Sequence, residues 1–340
     1  MSGRLVVITD SNLPSGNIEE ELLTAAGFEV VRANCRTEQD VIDVAASADA
    51  LIVQWAPITG AVIDRLERCR FISRLGIGSD MIDLAAASKR GIAVANTPEY
   101  CIEEVAAHTL ALALAASRGL PGLEASLRRG EWAVAANTAT VLRPSAAVFA
   151  VIGFGRIGSR VAEIAHAVGF RLVVHDPYVS VEQLAGRGFH GVSLAEALAA
   201  AQVVSLHLPL TAATHHLIDA GALERMGEGS FLVNTSRGGL IDEAALADAL
   251  DAGAIAGAAL DVFEHEPLPE ESRLRRAPNV LLTPHAAWYS VQALAALPLE
   301  AAQHVLDFFA GAGPESILNP EHSRALALAG TTLSAAEPPR

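Results

Sequence analysis

Short apolar runs alternate with helical periodicity along most of this chain. RLVVIT, FEVVRA, ALIVQW, FISRLG and IAVAN are apolar, largely β-branched runs bounded by turn formers, and each predicts a strand. NIEEELLTAAG predicts a helix ended by Gly27, and TEQDVIDVAAS a helix capped by Thr37. Such alternation implies parallel strands joined by right-handed crossovers. The rhythm breaks at residues 101–119, CIEEVAAHTLALALAASRG, which read as one long apolar helix. It resumes at AAVFAVIG and runs to NVLLTPH. A last helical stretch covers residues 290–311 and contains Pro298, which puts its continuity in doubt. The tail AGTTLSAAEPPR has the composition of a disordered end. There are no short tandem repeats. The expected class is α/β, with two separate doubly wound parallel sheets.

At 340 residues, 51% of them hydrophobic, the chain suits two domains with sizeable cores. No apolar run is long and charge-free enough to cross a bilayer. MSGRLVVITD enters a strand directly, with no signal-peptide pattern. Cys35, Cys69 and Cys101 are scattered and odd in number, which suits a reducing cytoplasm better than a disulfide framework or a zinc site. The net charge of −15 argues against general binding of nucleic acid or anionic membranes. Lys89, the single lysine, sits in AASKRG, the exposed end of a predicted helix. Schiff-base and pyridoxal phosphate chemistry both need an active-site lysine and are set aside.

The second half opens on VFAVIGFGRIGSRVAEIAHAVGF: a strand, then Gly153, Gly155 and Gly158, then an amphipathic helix. In that context Gly153 permits the tight turn, Gly155 lets the backbone approach a pyrophosphate, and Gly158 lets helix and strand pack closely. The helix start offers free amides and the positive end of a dipole. The next strand, RLVVHD, ends at Asp176, placed to hold the adenosine ribose and repel a 2′-phosphate. NAD is therefore expected over NADP.

Three further strand ends carry polar groups. VNTSRGG brings Arg237, AALDVFEHEP brings Asp261, Glu264 and Glu266, and LLTPHAAWYS brings His285. Ligands of open α/β sheets bind outside the carboxyl ends of the strands. A cation, a carboxylate and an imidazole there suit hydride transfer to a 2-keto acid. Arginine clamps the carboxylate and polarises the keto oxygen, histidine supplies the proton, and the acid orients the imidazole and favours its charged form. Taken singly, each has a plainer reading: His285 as a loop cap, Arg237 as a helix-terminus partner, Glu266 as a solvated turn residue like Glu264. The coincidence of all three downstream of a dinucleotide fingerprint selects the chemical reading. His175, His215 and His216 read as surface or core histidines, and no metal site is expected.

From about residue 5 to about residue 318 the chain resembles the D-isomer-specific 2-hydroxyacid dehydrogenase family. The resemblance rests on RLGIGSDMIDL, GFGRIG, HDPY, LHLPLTAATHHLI, LVNTSRGGLIDEAAL, GAALDVFEHEPL and LLTPHAAWYS. It implies a flavodoxin-like substrate domain of residues 1–99 plus 291–318 and a Rossmann NAD-binding domain of residues 100–290, with the active site in the cleft between them. Residues 319–340 would be a flexible tail. It makes Arg237 the substrate-binding arginine, Glu266 the partner acid and His285 the acid/base of an NAD-dependent, reversible D-2-hydroxyacid dehydrogenase. Cofactor contacts are implied for Gly153, Gly155, Arg156, Ile157, Gly158 and Asp176. Thr109, His207, Pro209, Thr214, Thr235, Ser236, Arg237, Asp261 and His285 complete that set. The loop Leu75–Gly78 would bind the substrate carboxylate through backbone amides, making Arg74, Gly76, Ile77 and Gly78 substrate residues. A cytoplasmic homodimer with the helix of residues 101–119 in its interface is also implied.

Within the family, TPHAAWYS is most similar to the C-terminal binding protein branch, where Trp288 would line the substrate pocket. Trp55 is expected to approach from the opposite side, and two indoles would favour bulky or thioether side chains. That branch includes co-repressors that bind NAD, so the second reading is an NAD-sensing regulator with weak activity. Ile77 departs from the co-repressors, which have a small polar residue there. Formate dehydrogenases carry glutamine where Glu266 stands, and are set aside.

Overall fold

The computed structural model describes residues 3–14, 16–132 and 141–323. The chain forms two compact units, one ending at Cys101 and resuming at Ser290, the other Ile102–Tyr289. Among the described residues no helix is long and apolar enough to cross a membrane.

The first unit contains β1 (Leu5–Ile8), β2 (Glu29–Arg32), β3 (Ala50–Val53), β4 (Phe71–Arg74) and β5 (Ala93–Ala95). They pair in parallel in the order β2-β1-β3-β4-β5, the flavodoxin order. Burial follows that order. β3 and β4 are buried along their whole length, whereas β2, at the edge, alternates. The helix Glu38–Ala45 starts in a capping box, with the Thr37 hydroxyl accepting from the Asp40 amide and the Asp40 carboxylate from the Thr37 amide.

The helix Val291–Ala310 runs unbroken through Pro298. A proline there deprives the Leu294 carbonyl of its usual donor. Packing outweighs that loss. Ala293, Leu297, Pro298, Ala301, Ala302 and Val305 are all buried, and Phe308 stacks on Phe71 of β4 at 4.6 Å. The expectation that residues 319–340 form a flexible tail fails at its beginning. Asn319 is buried, accepts the Val94 amide, and donates to Ser88 and to the Ile92 carbonyl. Three bonds to one side chain pin the segment to β5. Residues 324–340 lie outside the described residues.

The second unit has seven parallel strands: β6 (Val148–Ile152), β7 (Arg171–His175), β8 (His190–Gly191), β9 (Val203–Leu206), β10 (Phe231–Asn234), β11 (Gly257–Leu260) and β12 (Val280–Leu282). Their order is β12-β11-β10-β9-β6-β7-β8, the Rossmann order with a seventh strand added at one edge. The order reverses between β6 and β9, which is where such sheets bind ligands. The helix Ile102–Ser117 buries Ala106, Leu112 and Ala113 against one face of this sheet, in a core shared with Phe149, Val233 and Ala259.

Candidate active site

At the β6–β9 reversal the glycines are needed for close approach. Gly153 has φ +95°, and a Cβ on it would lie 2.4 Å from the His207 carbonyl oxygen, in the loop after β9. A Cβ on Gly158 would lie 2.0 Å from the Gly153 oxygen. Gly155 differs: nothing stands within 4 Å of the position its Cβ would take. It is the N-cap of the helix Arg156–Val168 and supplies no side-chain cap. The first-turn amides of this helix have no intrahelical acceptors, and the space beside Gly155 is open, which suits a pyrophosphate. Asp176 closes the loop from β7, accepting the Phe154 amide at 2.7 Å and the Tyr178 amide at 2.8 Å. These residues fit a dinucleotide.

Burial pushes the His207 imidazole down to about 3, so it is neutral at ordinary pH. Its Nε2 is 2.8 Å from the Ser205 hydroxyl. Thr214 donates to the Pro209 carbonyl at 2.7 Å and bridges the same loop to Thr211.

The loop after β10 is shaped by its own strand end. The Asn234 amide group donates to the Arg237 carbonyl at 2.8 Å and accepts the Ser236 amide at 3.0 Å, while the Ser236 hydroxyl donates to the Leu208 carbonyl. Arg237 is half-buried and donates to the Ser236 carbonyl. Gly238 answers why glycines follow it. A Cβ there would sit 1.9 Å from the Phe263 carbonyl carbon and 2.4 Å from the Glu264 nitrogen. The loops after β10 and β11 touch backbone to backbone, and this brings Arg237 towards Glu266.

Glu266 accepts the Phe263 amide at 3.0 Å through one oxygen and the His285 Nδ1–H at 2.6 Å through the other. Desolvation, the largest influence on its carboxyl, pushes it up. The bond from His285 and its charge, the Phe263 amide and the Arg237 charge outweigh this and hold it below its ordinary value. Glu266 is thus an anion at neutral pH. The bond to Glu266 uses Nδ1 of His285, which places the proton of that bond on Nδ1.

His285 has φ +51°, a left-handed conformation that costs an L-residue of order 1 kcal/mol or more. Asp261 holds it there. The Asp261 carbonyl accepts the His285 amide at 2.8 Å, and its carboxylate accepts the Ala286 and Ala287 amides and the Thr283 hydroxyl. Asp261 and Thr109 were expected to touch the cofactor, but each is 0% exposed. Asp261 holds the His285 loop, and Thr109 hydrogen-bonds Thr235, two residues before Arg237, at 2.7 Å. Trp288 donates its indole N–H to the His285 carbonyl at 2.9 Å, which ties the indole to the His285 loop.

Glu264 is more than the solvated turn residue expected. It pairs with His216, whose ring stacks on His215 at 3.9 Å, and its amide donates to Glu243 at 2.7 Å. Burial, with the charges of Glu264 and Glu266 adding to it, pushes the Glu243 carboxyl up. His216 and Glu243 lie on segments far from the motif in sequence, so only the fold brings them together. Among the described residues no group of three or more His, Cys, Asp or Glu is arranged to hold a metal.

In the first unit, Trp55 is exposed rather than part of the core. Asp10 accepts its amide at 2.6 Å, and the Arg74 guanidinium lies over its ring at 5.3 Å. Gly76 has φ +134°, a conformation that glycine adopts without the strain a side chain would bring. Its amide donates to Thr97 Oγ1 at 2.7 Å.

Residues 110–287 match the model of the D-isomer specific 2-hydroxyacid dehydrogenase NAD binding domain. The chain is 36% identical over 284 residues to a glyoxylate reductase of Korarchaeum cryptofilum, covering 83% of this chain and 86% of that protein. It is 36% identical over 284 residues to D-3-phosphoglycerate dehydrogenase of Synechocystis, covering 83% of this chain and 51% of that one. The chain thus spans about half the length of the phosphoglycerate dehydrogenases it matches. Its fold matches D-lactate dehydrogenase of Aquifex aeolicus, solved with NAD and lactic acid, with a TM-score of 0.81 at 29% identity, over 90% of this chain and 96% of that one. An open glycine loop stands at the switch point of a Rossmann sheet, and an arginine, a glutamate and a histidine follow at successive strand ends. The chain belongs to the D-isomer specific 2-hydroxyacid dehydrogenase family.

Proposed function

We propose that this chain is an NAD-dependent D-2-hydroxyacid dehydrogenase that reversibly interconverts a 2-keto acid and its D-2-hydroxy acid. The observation that carries this reading is the 2.6 Å bond between His285 Nδ1 and Glu266, with the Arg237 charge acting on the same carboxylate. NADH, when bound over Gly155 and Asp176, supplies the hydride. Arg237 binds the substrate carboxylate bidentately and polarises the keto oxygen. His285 delivers its Nε2 proton to that oxygen as it gains negative charge, and takes it back in the reverse direction. Glu266 keeps the imidazole oriented and stabilises its cation.

The relatives' names run from glyoxylate to lactic acid, so the side chain accepted is a matter of the pocket wall. Trp288 offers an apolar face with its only donor already spent, which favours large apolar 2-keto acids over glyoxylate. Trp288→Ala is expected to lower kcat/KM for phenylpyruvate by ~1–3 kcal/mol and to change glyoxylate little. A uniform loss across both substrates sinks the specificity role. Trp288→Phe keeps the wall without the N–H and separates it from loop support.

The test of the proposal is NADH consumption with glyoxylate, pyruvate, hydroxypyruvate, phenylpyruvate and methylthio-oxobutyrate. Turnover of ~1–1000 per second supports the dehydrogenase. A tight NADH complex with negligible turnover on all of them favours the NAD-sensing regulator. NADH is expected to exceed NADPH in kcat/KM, because the Asp176 carboxylate repels a 2′-phosphate. Asp176→Ala should narrow that gap, and equal use of both cofactors by the wild type would contradict the assignment.

A further inference from the structure

Thr283 lies two residues before His285 and joins three groups. Its hydroxyl is 2.5 Å from Asp261 Oδ1 and 3.1 Å from His108 Nε2, and His108 Nε2 is itself 3.7 Å from the same Asp261 oxygen. A hydroxyl has one proton to give, and a carboxylate has only lone pairs. The Thr283 proton therefore goes to Asp261. His108 must donate to Thr283 from a protonated Nε2, since a bare Nε2 would face an oxygen with no proton left to give. This assigns the tautomer of His108 from geometry alone.

The consequence lies in what Asp261 holds. Its carboxylate also accepts the Ala286 and Ala287 amides, and its carbonyl accepts the amide of His285 in its left-handed conformation. His108 stands on the helix Ile102–Ser117, and the next residue on that helix, Thr109, bonds Thr235 in the loop of Arg237. One turn of one helix thus reaches both loops, the one that carries the imidazole and the one that carries the guanidinium.

We infer that His108 is a positioning residue, which donates through Nε2 to Thr283 and thereby keeps the Asp261-centred loop, and His285 on it, in its strained working conformation. The inference deepens the dehydrogenase reading in that it names what aims His285, and rests on that reading only for its effect on turnover. His108 touches no reacting atom. Its side chain is 27% exposed, so a change there does not open a hole in the core.

Two measurements on the ligand-free full chain test it. Long-range nitrogen–proton correlations of the His108 ring at about pH 9, where imidazoles are neutral, should show the Nε2–H tautomer. Amide hydrogen exchange of Ala286 and Ala287 should quicken about tenfold in His108→Phe, the scale of losing one hydrogen bond. In His108→Gln, which keeps a donor at the same reach, it should stay near wild type. Thr283→Val should reproduce the quickening and Thr283→Ser should not, which keeps the test open if His108→Phe fails to fold. In turnover with glyoxylate, His108→Phe should lower kcat about tenfold with the KM for NADH nearly unchanged, and His108→Gln should restore it. An Nδ1–H tautomer, or unchanged exchange in both His108→Phe and Thr283→Val, overturns the inference. If the wild type turns over no 2-keto acid, the dehydrogenase reading falls, while the tautomer and the exchange rates still decide the role of His108.

Discussion

His285→Ala is expected to lower kcat for 2-keto acid reduction at least ~100-fold, the scale of losing a general acid, while NADH still binds. The imidazole is the proton donor proposed for this site, and Glu266 holds it through Nδ1. The cofactor loop sits on other strand ends, β6 and β7, so its affinity should survive. Stopped-flow turnover and NADH fluorescence titration read the two quantities separately. A variant with near-normal kcat would show that His285 only shapes its loop.

Glu266→Gln refines the same expectation. The amide oxygen can still accept from Nδ1, but the negative charge beside the ring is gone. The cation is then less favoured, and the alkaline limb of the reduction profile should move to lower pH, by about one unit for each 1.4 kcal/mol of lost stabilisation. The sign on the acid side differs. The Glu266 carboxyl is held below its ordinary value, so its charge persists through neutral pH and is lost only as pH falls through that depressed value. An unmoved alkaline limb would mean that Glu266 does not partner His285 in catalysis.

The second large effect is expected for Gly238→Ala. The added methyl would meet the Phe263 carbonyl carbon at 1.9 Å and its oxygen at 2.1 Å, so backbone must move. Overpacking of this kind costs about 1–3 kcal/mol, and a misplacement of about 1 Å between Arg237 and Glu266 costs ~100-fold in rate. Gly239→Ala is the control. Its methyl would meet the end of the Leu210 side chain at 3.1 Å, which a small rotation relieves. The measurement is kcat/KM beside the thermal midpoint of each variant. Equal behaviour of the two would refute the backbone-contact argument.

The legible parts of this chain are those that obey local rules. The central strands of both sheets appear as apolar runs because parallel strands inside a sheet are buried on both faces. The glycine loop is readable because its three glycines have fixed offsets after a strand. Arg237, Glu266 and His285 are visible at strand ends because strand ends are where an open sheet puts its chemistry. Thr37 and Gly27 mark helix boundaries through capping and φ, both local properties.

What failed to show in the sequence depends on contacts between distant segments. Pro298 argues for a break by every local rule, and burial of its helix against β4 overrides it. Asn319 has the look of a tail, and three bonds to β5 and its neighbours anchor it. Asp261 and Thr109 match cofactor positions, yet their complete burial turns them into supports for the loops of His285 and Arg237. His108, 177 residues before His285, carries no sequence sign of its bond to Thr283. Local patterning thus determined the fold class, the glycine loop and the three polar side chains at the strand ends, since each follows from propensity, burial periodicity or fixed spacing. Tertiary structure alone decided which polar residues are buried as supports for the loops of Arg237 and His285, because that depends on which hydrogen-bonding groups the packed segments bring together.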